Sequence, residues 1–293
     1  MTMITNKTPK PLTELTLLDR FLFNEVMEQP ENLRVLLEII LGKEIVLKYL
    51  PESEKETRTS PVNRFIKLDV WAMDEDDSIY DTEVQQKNTY NLPKRSRYYQ
   101  GVIDSRLLKP GIADFNNLND LFIIIIAPFD LFKKDLYLYT FRMQCEESPG
   151  LHLDDGVTRI FLNTHGKNSR DVSHDLIELL HLIEHTNESG KTYQNTELQK
   201  MSERVREIQN NSEVSVKYMQ AWEERVIEQQ EAREEGRIEG RMEGRMEAHL
   251  IQIRKKLMKG LDAGQIAEAL ELDKTEVEAL IEEIRSDENV QEN

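Results

Sequence analysis

Polar and apolar residues alternate along residues 63–72 and again along residues 79–85, on either side of the acidic stretch at 74–78. Alternation with period 2 is typical of β-strands, so the pattern predicts a hairpin. A symmetric hairpin centred on residue 76 places Asp69 directly opposite Glu83, and Lys67 opposite Gln85 on the same face. Two carboxylates so placed lie roughly 4.5–5.5 Å apart at Cβ and repel each other unless something sits between them. The pattern predicts either a divalent-metal site or a solvent-facing polar hairpin.

Other stretches show the spacing of helices and buried strands. Apolar residues recur at helical intervals in two N-terminal segments that Pro30 separates, and Gly42 supplies the stop signal of the second. The run LFIIIIA is continuously apolar, as in a strand buried on both faces. The predicted helices cover residues 15–27, 31–41, 94–108 and 171–185, the further strands cover 121–127, 137–144 and 158–163, and residues 51–61 are a polar linker. This order predicts an α/β fold with a mixed sheet.

Changes in composition and hydrophobic pattern along the chain predict four regions. Residues 1–12 are expected to be disordered, and residues 13–190 to form the α/β domain. Residues 191–259 are expected to form a charged helical extension, and residues 260–293 a small segment that resembles a helix-turn-helix. Asp273 and Glu276 suit a capping box at its last helix. That helix is rich in glutamate, so we expect it to contact protein or to pack rather than to bind phosphates.

The extension contains a four-residue repeat, REEGRIEGRMEGRME, at residues 233–247. Each glycine destabilises a helix interior by about 1 kcal/mol relative to alanine, but small residues at this spacing also let helices approach closely. The repeat predicts either a homo-oligomer formed through this helix or a charged, semi-rigid spacer. Glycine recurs at positions 236, 240 and 244, and a large apolar residue at 238, 242 and 246.

Composition limits which cellular compartment and which binding partners are expected. The 293 residues are 39% hydrophobic and 32% charged, with a formal net charge of −17. No apolar run is long enough to span a bilayer, no signal pattern opens the sequence, and the single Cys145 excludes an internal disulfide, so a cytoplasmic protein is expected. The net charge has the wrong sign for a nucleic-acid coat protein, yet residues 87–109 hold six basic residues against Asp104 alone. Because phosphate binding needs local cations, a nucleic acid stays open as a partner.

The acidic pair and the basic segment behind it suit phosphodiester chemistry. Asp69 and Glu83, with the Val84 carbonyl, offer the oxygen ligands that Mg²⁺ or Mn²⁺ prefers. Such an ion would activate a water and neutralise charge on a scissile phosphate, while Gln85 would orient that water. Tyr98 and Tyr99 fit a packing role as well as they fit contact with a phosphate backbone. The residues expected to contact a DNA backbone are Lys94, Arg95, Arg97, Tyr99 and Gln100.

A second metal motif, HLIEH at residues 181–185, matches the H-x-x-E-H pattern of inverted zinc peptidases. His181 and His185 stand four residues apart on a predicted helix and can share a metal. Both project away from the apolar stripe of that helix, and a third ligand would have to come from the charged extension. The pattern favours a solvated helix face over a zinc site.

Five segments in succession resemble the recombination-promoting nuclease and transposase group of the PD-(D/E)XK nuclease superfamily. They are YDTEVQ (80–85), LPKRSRYYQGVID (92–104), IIIAPFDLF (124–132), YTFRMQC (139–145) and IFLNTHG (160–166). The resemblance covers residues 13–190 and implies a restriction-endonuclease-like fold, with a mixed central sheet flanked by helices and here a long charged helical C-terminal extension. It also implies divalent-metal-dependent cleavage of DNA, linked to recombination or mobile elements.

Carried onto this chain, the resemblance sets Asp69 at the first acid, Glu83 at the second and Gln85 where the superfamily more often has lysine. Lys67, facing Gln85, would stand in for that lysine. The superfamily often adds an acid from the first helix, for which Glu25 and Asp19 are candidates. The prediction is a Mg²⁺- or Mn²⁺-dependent DNA endonuclease. The alternatives are a catalytically silent nucleic-acid-binding or assembly protein with the same fold, and a zinc peptidase.

Overall fold

The computed structural model describes residues 8–57, 66–108 and 111–291. Over these ranges the strands are β1 (Glu52–Thr57), β2 (Ile66–Met73), β3 (Ile79–Val84), β4 (Leu121–Ala127), β5 (Leu138–Phe141) and β6 (Val157–Asn163). The α-helices are α1 (Arg20–Met27), α2 (Pro30–Leu41), α3 (Leu92–Leu107), α4 (His174–Glu184), α5 (Thr196–Gln209), α6 (Ser212–Leu257), α7 (Ala263–Leu270) and α8 (Lys274–Gln291).

The strands form one mixed sheet in the order β1-β2-β3-β4-β6-β5. Parallel strands β3, β4 and β6 lie at its centre, whereas β1, β2 and β5 pair antiparallel with their neighbours. The central strand β4 is the predicted apolar run and is buried along its length except for the partly exposed Phe122. The predicted α/β fold, a mixed sheet flanked by helices and followed by a long helix, is confirmed.

Apolar side chains pack on both faces of this sheet. On one face, buried residues of α1, α2, α4 and α5 pack in a cluster that includes Tyr80 of β3. On the other face, Leu92 of α3 and Ile79 of β3 belong to a second cluster. Because Asp81 and Glu83 alternate with Tyr80 and follow Ile79 at intervals of two, they lie on the face that α3 covers.

The β2–β3 hairpin has the predicted register. Val70 pairs with Thr82, and one step further in the same register sets Asp69 opposite Glu83. The acidic turn between the strands is closed by Asp74, whose carboxylate accepts a hydrogen bond from a backbone N–H at the far end of the turn at 2.8 Å. The tight turn therefore determines which acids meet across the two strands.

The first helix begins at Arg20, not at residue 15 as predicted. Asp19 caps it by accepting a hydrogen bond from the N–H of Phe21 at 3.0 Å. Before the cap, the N–H of Leu17 donates to Thr186 Oγ1 at 2.8 Å. This buried N–H therefore has a hydrogen-bond partner although Leu17 does not lie in a helix. The apolar spacing of residues 15–18 reflects burial in the core rather than helical periodicity. The second helix ends as predicted at Gly42, which has a φ of 66°.

The predicted linker at 51–61 is wrong for residues 52–57, which form the edge strand β1. Its sequence ESEKET contains no apolar residue, so hydrophobic alternation did not reveal the strand. Charged side chains are tolerated at a sheet edge. Lys55 covers the Trp71 ring of β2, with its Nζ 3.4 Å from the ring centroid. Residues 58–61 of the predicted linker lie outside the described residues.

The chain divides into two compact units, Met1–Met219 and Gln220–Asn293. The second unit has an apolar core of its own, and a complete capping box of Asp262 and Gln265 opens α7. Asp273, predicted to cap the last helix, accepts a hydrogen bond from the N–H of Thr275 at 2.8 Å. The boundaries predicted at residues 190 and 259 stay predictions. Within the described ranges, no helix has both the length and the apolar character needed to cross a membrane.

Candidate active site

Three acidic residues are buried in neighbouring strands β2 and β3. Asp69, Asp81 and Glu83 expose only 3%, 0% and 1% of their surface. Alternation sets Asp81 and Glu83 on one face of β3, and the hairpin register sets Asp69 beside Glu83. Carboxylates are seldom buried unless cations or hydrogen bonds compensate their charge. This cluster is therefore the leading candidate for a functional site.

The third helix brings an arginine to these acids. Arg95 contacts Glu83 Oε2 through Nη2, and its Nη1 donates to Gln85 Oε1 at 2.8 Å. The guanidinium carbon lies 5.3 Å from the centroid of the Tyr99 ring, four residues further along the same helix face. An acid, an amide and an aromatic ring together hold the Arg95 side chain in place.

The first helix brings a second arginine. Arg20, the first residue of α1, forms an ion pair through Nε with Asp69 Oδ1. The other oxygen of Asp69 accepts a hydrogen bond from the N–H of Val84 at 3.3 Å. The Gln86 side chain donates to the carbonyl of Leu18 at 2.9 Å, which ties the residues before α1 to those after β3. Guanidinium groups from two different helices therefore reach the same acidic cluster.

Burial and mutual repulsion raise the proton affinity of the acids despite the two arginines. Burial is the largest cause that raises the pKa of Asp81 well above its usual value, and the charges of Glu83 and Asp69 add to it. Burial first, and Asp69 second, raise the pKa of Glu83 to about 7. Arg95 and Arg20 oppose both shifts. The protein's own cations thus compensate the cluster only in part.

The unpartnered oxygens of this cluster fit a divalent cation as donors. Both oxygens of Asp81 and Oε1 of Glu83 are buried without a hydrogen-bond partner. Mg²⁺ and Mn²⁺ prefer carboxylate oxygens, and a divalent charge would offset the repulsion. The carboxylate oxygens of the three acids lie farther apart than the ligand atoms of a formed metal site. Among the described residues, the group with three or more ligand atoms within 4.8 Å of one another is His174, Asp175 and Glu178.

The group of His174, Asp175 and Glu178 has a structural explanation. Both oxygens of Glu178 accept from the N–H of Gln194, at 3.2 and 3.1 Å, and Asp175 Oδ2 accepts from the Asn195 side chain at 2.7 Å. Asn195 is the N-cap of α5, so these carboxylates tie α4 to the start of α5. The group also lies in the first turns of α4, where the helix dipole disfavours a cation.

The residues predicted to contact DNA divide into two sets. Lys94 and Arg97 are exposed on α3. Arg95 contacts Glu83 and Gln85, and Tyr99 lies half-buried beside it. Gln100 accepts a hydrogen bond from an arginine of β6. The structure therefore leaves two cations open to solvent and brings the other three residues into contact with protein groups.

Gln85 follows directly after β3, within the predicted site. Its Nε2 donates to the carbonyl of Lys87 at 2.8 Å, and its Oε1 accepts from Arg95. The backbone of Lys67 pairs with that of Glu56 in the neighbouring strand, but the side chain of Lys67 lies outside the described residues. Its approach to Gln85 stays a prediction.

Two residues of the cluster were not among the predicted site residues. Asp81 carries a signal that alternation could have used, because it stands two residues before the second predicted acid on the same strand face. Arg20 carries no such signal, since only the fold brings α1 to β2. The acids considered for the first helix are engaged elsewhere: Glu25 pairs with a lysine of α6, and Asp19 caps α1. What α1 contributes to the described cluster is a cation.

The HLIEH motif lies at the C-terminal end of α4. The ring centroids of His181 and His185 are 4.7 Å apart. Nε2 of His181 lies 3.1 Å from Glu188 Oε2, and Glu184 Oε1 lies 2.6 Å from Nε2 of His165. In the described part of the chain, no third metal-ligating side chain converges with the two histidines. This arrangement favours a polar helix end over a zinc peptidase site.

Comparison with known proteins agrees with the observed fold. A family model described as PD-(D/E)XK nuclease family transposase matches residues 19–235. The matched range contains all three buried acids and both arginines. No curated protein and no solved structure matches the chain.

The raised pKa values predict how the stability of the protein depends on pH without divalent ions. An acid with a raised pKa keeps in the folded state a proton that the unfolded chain releases. The free energy of unfolding should therefore fall as the pH rises from the ordinary value of 3.8 for Asp81 towards the folded value of about 7 for Glu83. Urea denaturation in EDTA across this range measures the slope.

Asp81→Asn should flatten this pH profile, because it removes one of the two acids whose pKa is raised. Asp76→Asn is the matched control, since Asp76 is exposed in the turn of the same hairpin. Equal slopes for the parent and Asp81→Asn would show that Asp81 is not protonated in the folded protein.

Proposed function

The chain belongs to the PD-(D/E)XK nuclease family of transposases, and we propose that it is a divalent-metal-dependent DNA endonuclease that acts in recombination or mobile-element activity. The family assignment by itself supports a nuclease or mobile-element role. The finer proposal is carried by one observation, the buried cluster of Asp69, Asp81 and Glu83, in which oxygens of Asp81 and Glu83 lack hydrogen-bond partners. Burying carboxylates without full compensation destabilises a fold, so a function that requires a cation accounts for their presence.

Each residue of the cluster has a role in this proposal. Asp69 and Glu83 would hold Mg²⁺ or Mn²⁺, and Asp81 adds a third oxygen donor. When bound, the ion supplies an activated water and neutralises charge on the scissile phosphate. Gln85 orients the water through its amide without adding charge. Arg95, in contact with Glu83 and Gln85, supplies positive charge at this position. It acts by charge rather than as a base, because a guanidinium stays protonated.

Lys94 and Arg97 are the proposed contacts to the DNA backbone. Both are exposed on α3, the helix whose other face reaches the acids through Arg95. A phosphate backbone along this helix would therefore run close to the cluster. Tyr99 and Gln100 lie behind these cations, and their direct contact with DNA stays a prediction. A DNA substrate also suits the cytoplasmic location expected from the sequence.

We also propose that the chain self-associates through α6. Ile238, Met242 and Met246 are 49%, 68% and 46% exposed, and with Leu280 of α8 they line a groove of about 1060 Å³ within the second unit. Arginine precedes and glutamate follows each apolar residue of the repeat. In a parallel pair of these helices, the arginine row of one copy faces the glutamate row of the other, as g and e positions do in a parallel coiled coil. A second copy of this helix is therefore the proposed occupant.

The nuclease proposal predicts that the acids are required for cleavage. Asp69→Ala and Glu83→Ala should each slow metal-dependent nicking of plasmid DNA by about 10²-fold or more, because each removes charge that the reaction uses directly. Conversion of supercoiled plasmid with Mg²⁺ or Mn²⁺ measures the rate. Asp76→Ala, at an exposed acid in the turn of the same hairpin, should leave the rate unchanged.

Unchanged cleavage in both carboxylate variants would reject the site assignment. No cleavage by the parent with any divalent ion would favour the catalytically silent alternative. The pairing of the acids with arginines also suits that alternative.

In the same assay, Arg95→Ala and Lys67→Ala compare the two candidates for the positive charge beside Gln85. Full activity in Lys67→Ala with normal metal dependence would exclude Lys67.

The proposed DNA contacts predict a change in salt dependence. Replacing both Lys94 and Arg97 by alanine should weaken DNA binding at every sequence tested. It should also reduce the slope of log affinity against log salt by about 1.8, since each lost phosphate contact removes about 0.9. Fluorescence anisotropy over a salt series measures both quantities. An unchanged slope would place the DNA path elsewhere on the protein.

The proposed self-association predicts that a charge in the apolar row of α6 disrupts it. Met242→Glu should shift the protein to a lower mass in sedimentation velocity, because the carboxylate would be buried against a second copy. Met258→Glu is the control, since Met258 is 80% exposed beyond the end of α6. A parent that is monomeric at all concentrations tested would contradict the proposal.

A further inference from the structure

The loop that follows β4, residues 128–137, begins at the same edge of the sheet as the candidate active site. Glu83 pairs with Ile125 in the parallel pairing of β3 with β4, and the N–H of Gln85 donates to the carbonyl of Ile126 at 2.8 Å. The loop therefore starts within two residues of the level of Gln85. In open α/β sheets, ligands bind outside the carboxyl ends of the parallel strands, which is where this loop lies.

One carboxylate orders this loop. Asp130 Oδ1 accepts hydrogen bonds from the N–H groups of Phe132 at 3.0 Å and Lys133 at 2.9 Å, and from the Tyr139 hydroxyl at 2.7 Å. Its Oδ2 accepts from the N–H of Asp135 at 2.6 Å. Burial alone would raise the pKa of Asp130, but these hydrogen bonds favour its charged form and lower the pKa. Asp130 therefore holds the loop as a carboxylate.

Aromatic side chains hold the same loop against the sheet. The Tyr139 hydroxyl of β5 accepts from the N–H groups of Lys134 at 3.3 Å and Leu136 at 3.1 Å. The ring centroid of Phe132 lies 4.8 Å from that of Tyr139 and 5.2 Å from that of Phe161 on β6. Edge-to-face and tilted ring pairs of this kind fix side-chain orientation. The loop backbone is therefore anchored on two strands.

This anchoring maintains a backbone shape that is unfavourable for the residues in it. Lys133 has a φ of 57° and Asp135 a φ of 56°. Residues with a side chain seldom adopt this left-handed region, and they keep it only where the surrounding structure imposes it. Such positions concentrate at sites that bind a ligand. The loop is thus built to present particular side chains.

The side chains that the loop presents are cations. Lys133 and Lys134 are both exposed. The two acids of the loop are engaged elsewhere: Asp130 accepts the hydrogen bonds within the loop, and Asp135 pairs with Lys167 at 3.2 Å. Lysine ammonium groups in this position suit an anionic ligand such as a phosphate.

The loop also adjoins the helix that carries the proposed DNA contacts. Leu92, in the first turn of α3, lines the same small apolar cavity as Phe129 and Phe132 of the loop. Lys94 follows two residues after Leu92, and Lys133 directly follows Phe132. The exposed cations of the helix and of the loop therefore start from neighbouring points of the structure.

We propose that the loop at 128–137 is a second DNA-binding element, in which Lys133 and Lys134 contact the phosphate backbone. Asp130 and Tyr139 are its positioning residues. The inference rests on the proposed function, since it takes DNA as the ligand at this edge of the sheet. Contacts of this kind fix the path of the DNA past the acids without reading its sequence.

The first test replaces both lysines by alanine. The double variant should bind a DNA duplex more weakly, and its slope of log affinity against log salt should fall by about 1.8, the loss of two phosphate contacts. Fluorescence anisotropy with Ca²⁺ in place of Mg²⁺ measures both. The matched control replaces Lys43 and Lys200, exposed lysines at the end of α2 and on α5, and should bind DNA as the parent does.

The second test is Asp130→Ala. Loss of a negative charge would by itself strengthen DNA binding, whereas the inference predicts binding about fivefold weaker, because the loop must then be ordered when DNA binds. In the background without Lys133 and Lys134 the same substitution should have little further effect. This double-mutant cycle separates positioning of the lysines from a general loss of structure.

Unchanged affinity and slope in the lysine double variant would overturn the inference, as would tighter binding by Asp130→Ala or an equal loss in both backgrounds. If the parent still cleaves DNA in those cases, the proposed function stands. A parent that binds no DNA rejects both. Circular dichroism checks each fold. Tyr139→Phe, which removes the hydroxyl partner of Asp130, carries the same expectation of weaker, lysine-dependent binding if Asp130→Ala does not fold.

Discussion

Repulsion among the buried carboxylates of Asp69, Asp81 and Glu83 is the constraint on which the site depends. Burial is the largest cause that raises the pKa of Asp81 and of Glu83, and this repulsion adds to it, while Arg20 and Arg95 oppose both shifts. The arginines do not remove it, because oxygens of Asp81 and Glu83 stay buried without partners. A fold selected for stability alone would replace these acids by apolar residues of similar size. The same negative charges would attract a bound cation, so their repulsion would contribute to the affinity for the cation.

The sheet and two helices create this constraint together. The hairpin register brings Asp69 to Glu83, and the parallel pairing of β3 with β4 sets Glu83 beside a central apolar strand. The third helix crosses that face and delivers Arg95, while the capped start of α1 delivers Arg20. Since each cation comes from a different helix, helix placement and acid charge are coupled. Substitutions in either helix core should therefore affect the electrostatics of the site.

Local patterns in the sequence were sufficient for the hairpin, its register and the buried strand β4, because period-2 alternation and a continuous apolar run are short-range signals. They missed β1, whose residues are all polar, and they extended α1 into residues whose leucines are buried without being helical. The partners of the acids were beyond such patterns. Arg95 was assigned to DNA, and Arg20 was not considered, because only tertiary packing brings their helices to the acids. Asp81, in contrast, could have been identified from the sequence, because it lies two residues before Glu83 on the same face of the strand.

In the proposed function, the three buried acids form the divalent-cation site. Anomalous diffraction at the manganese edge, from crystals grown with Mn²⁺, would locate such an ion. The expected result is an anomalous peak within ligand distance of Asp69 and Glu83. A peak only at His174, Asp175 and Glu178, or no peak at all in crystals with ordered acids, would contradict it.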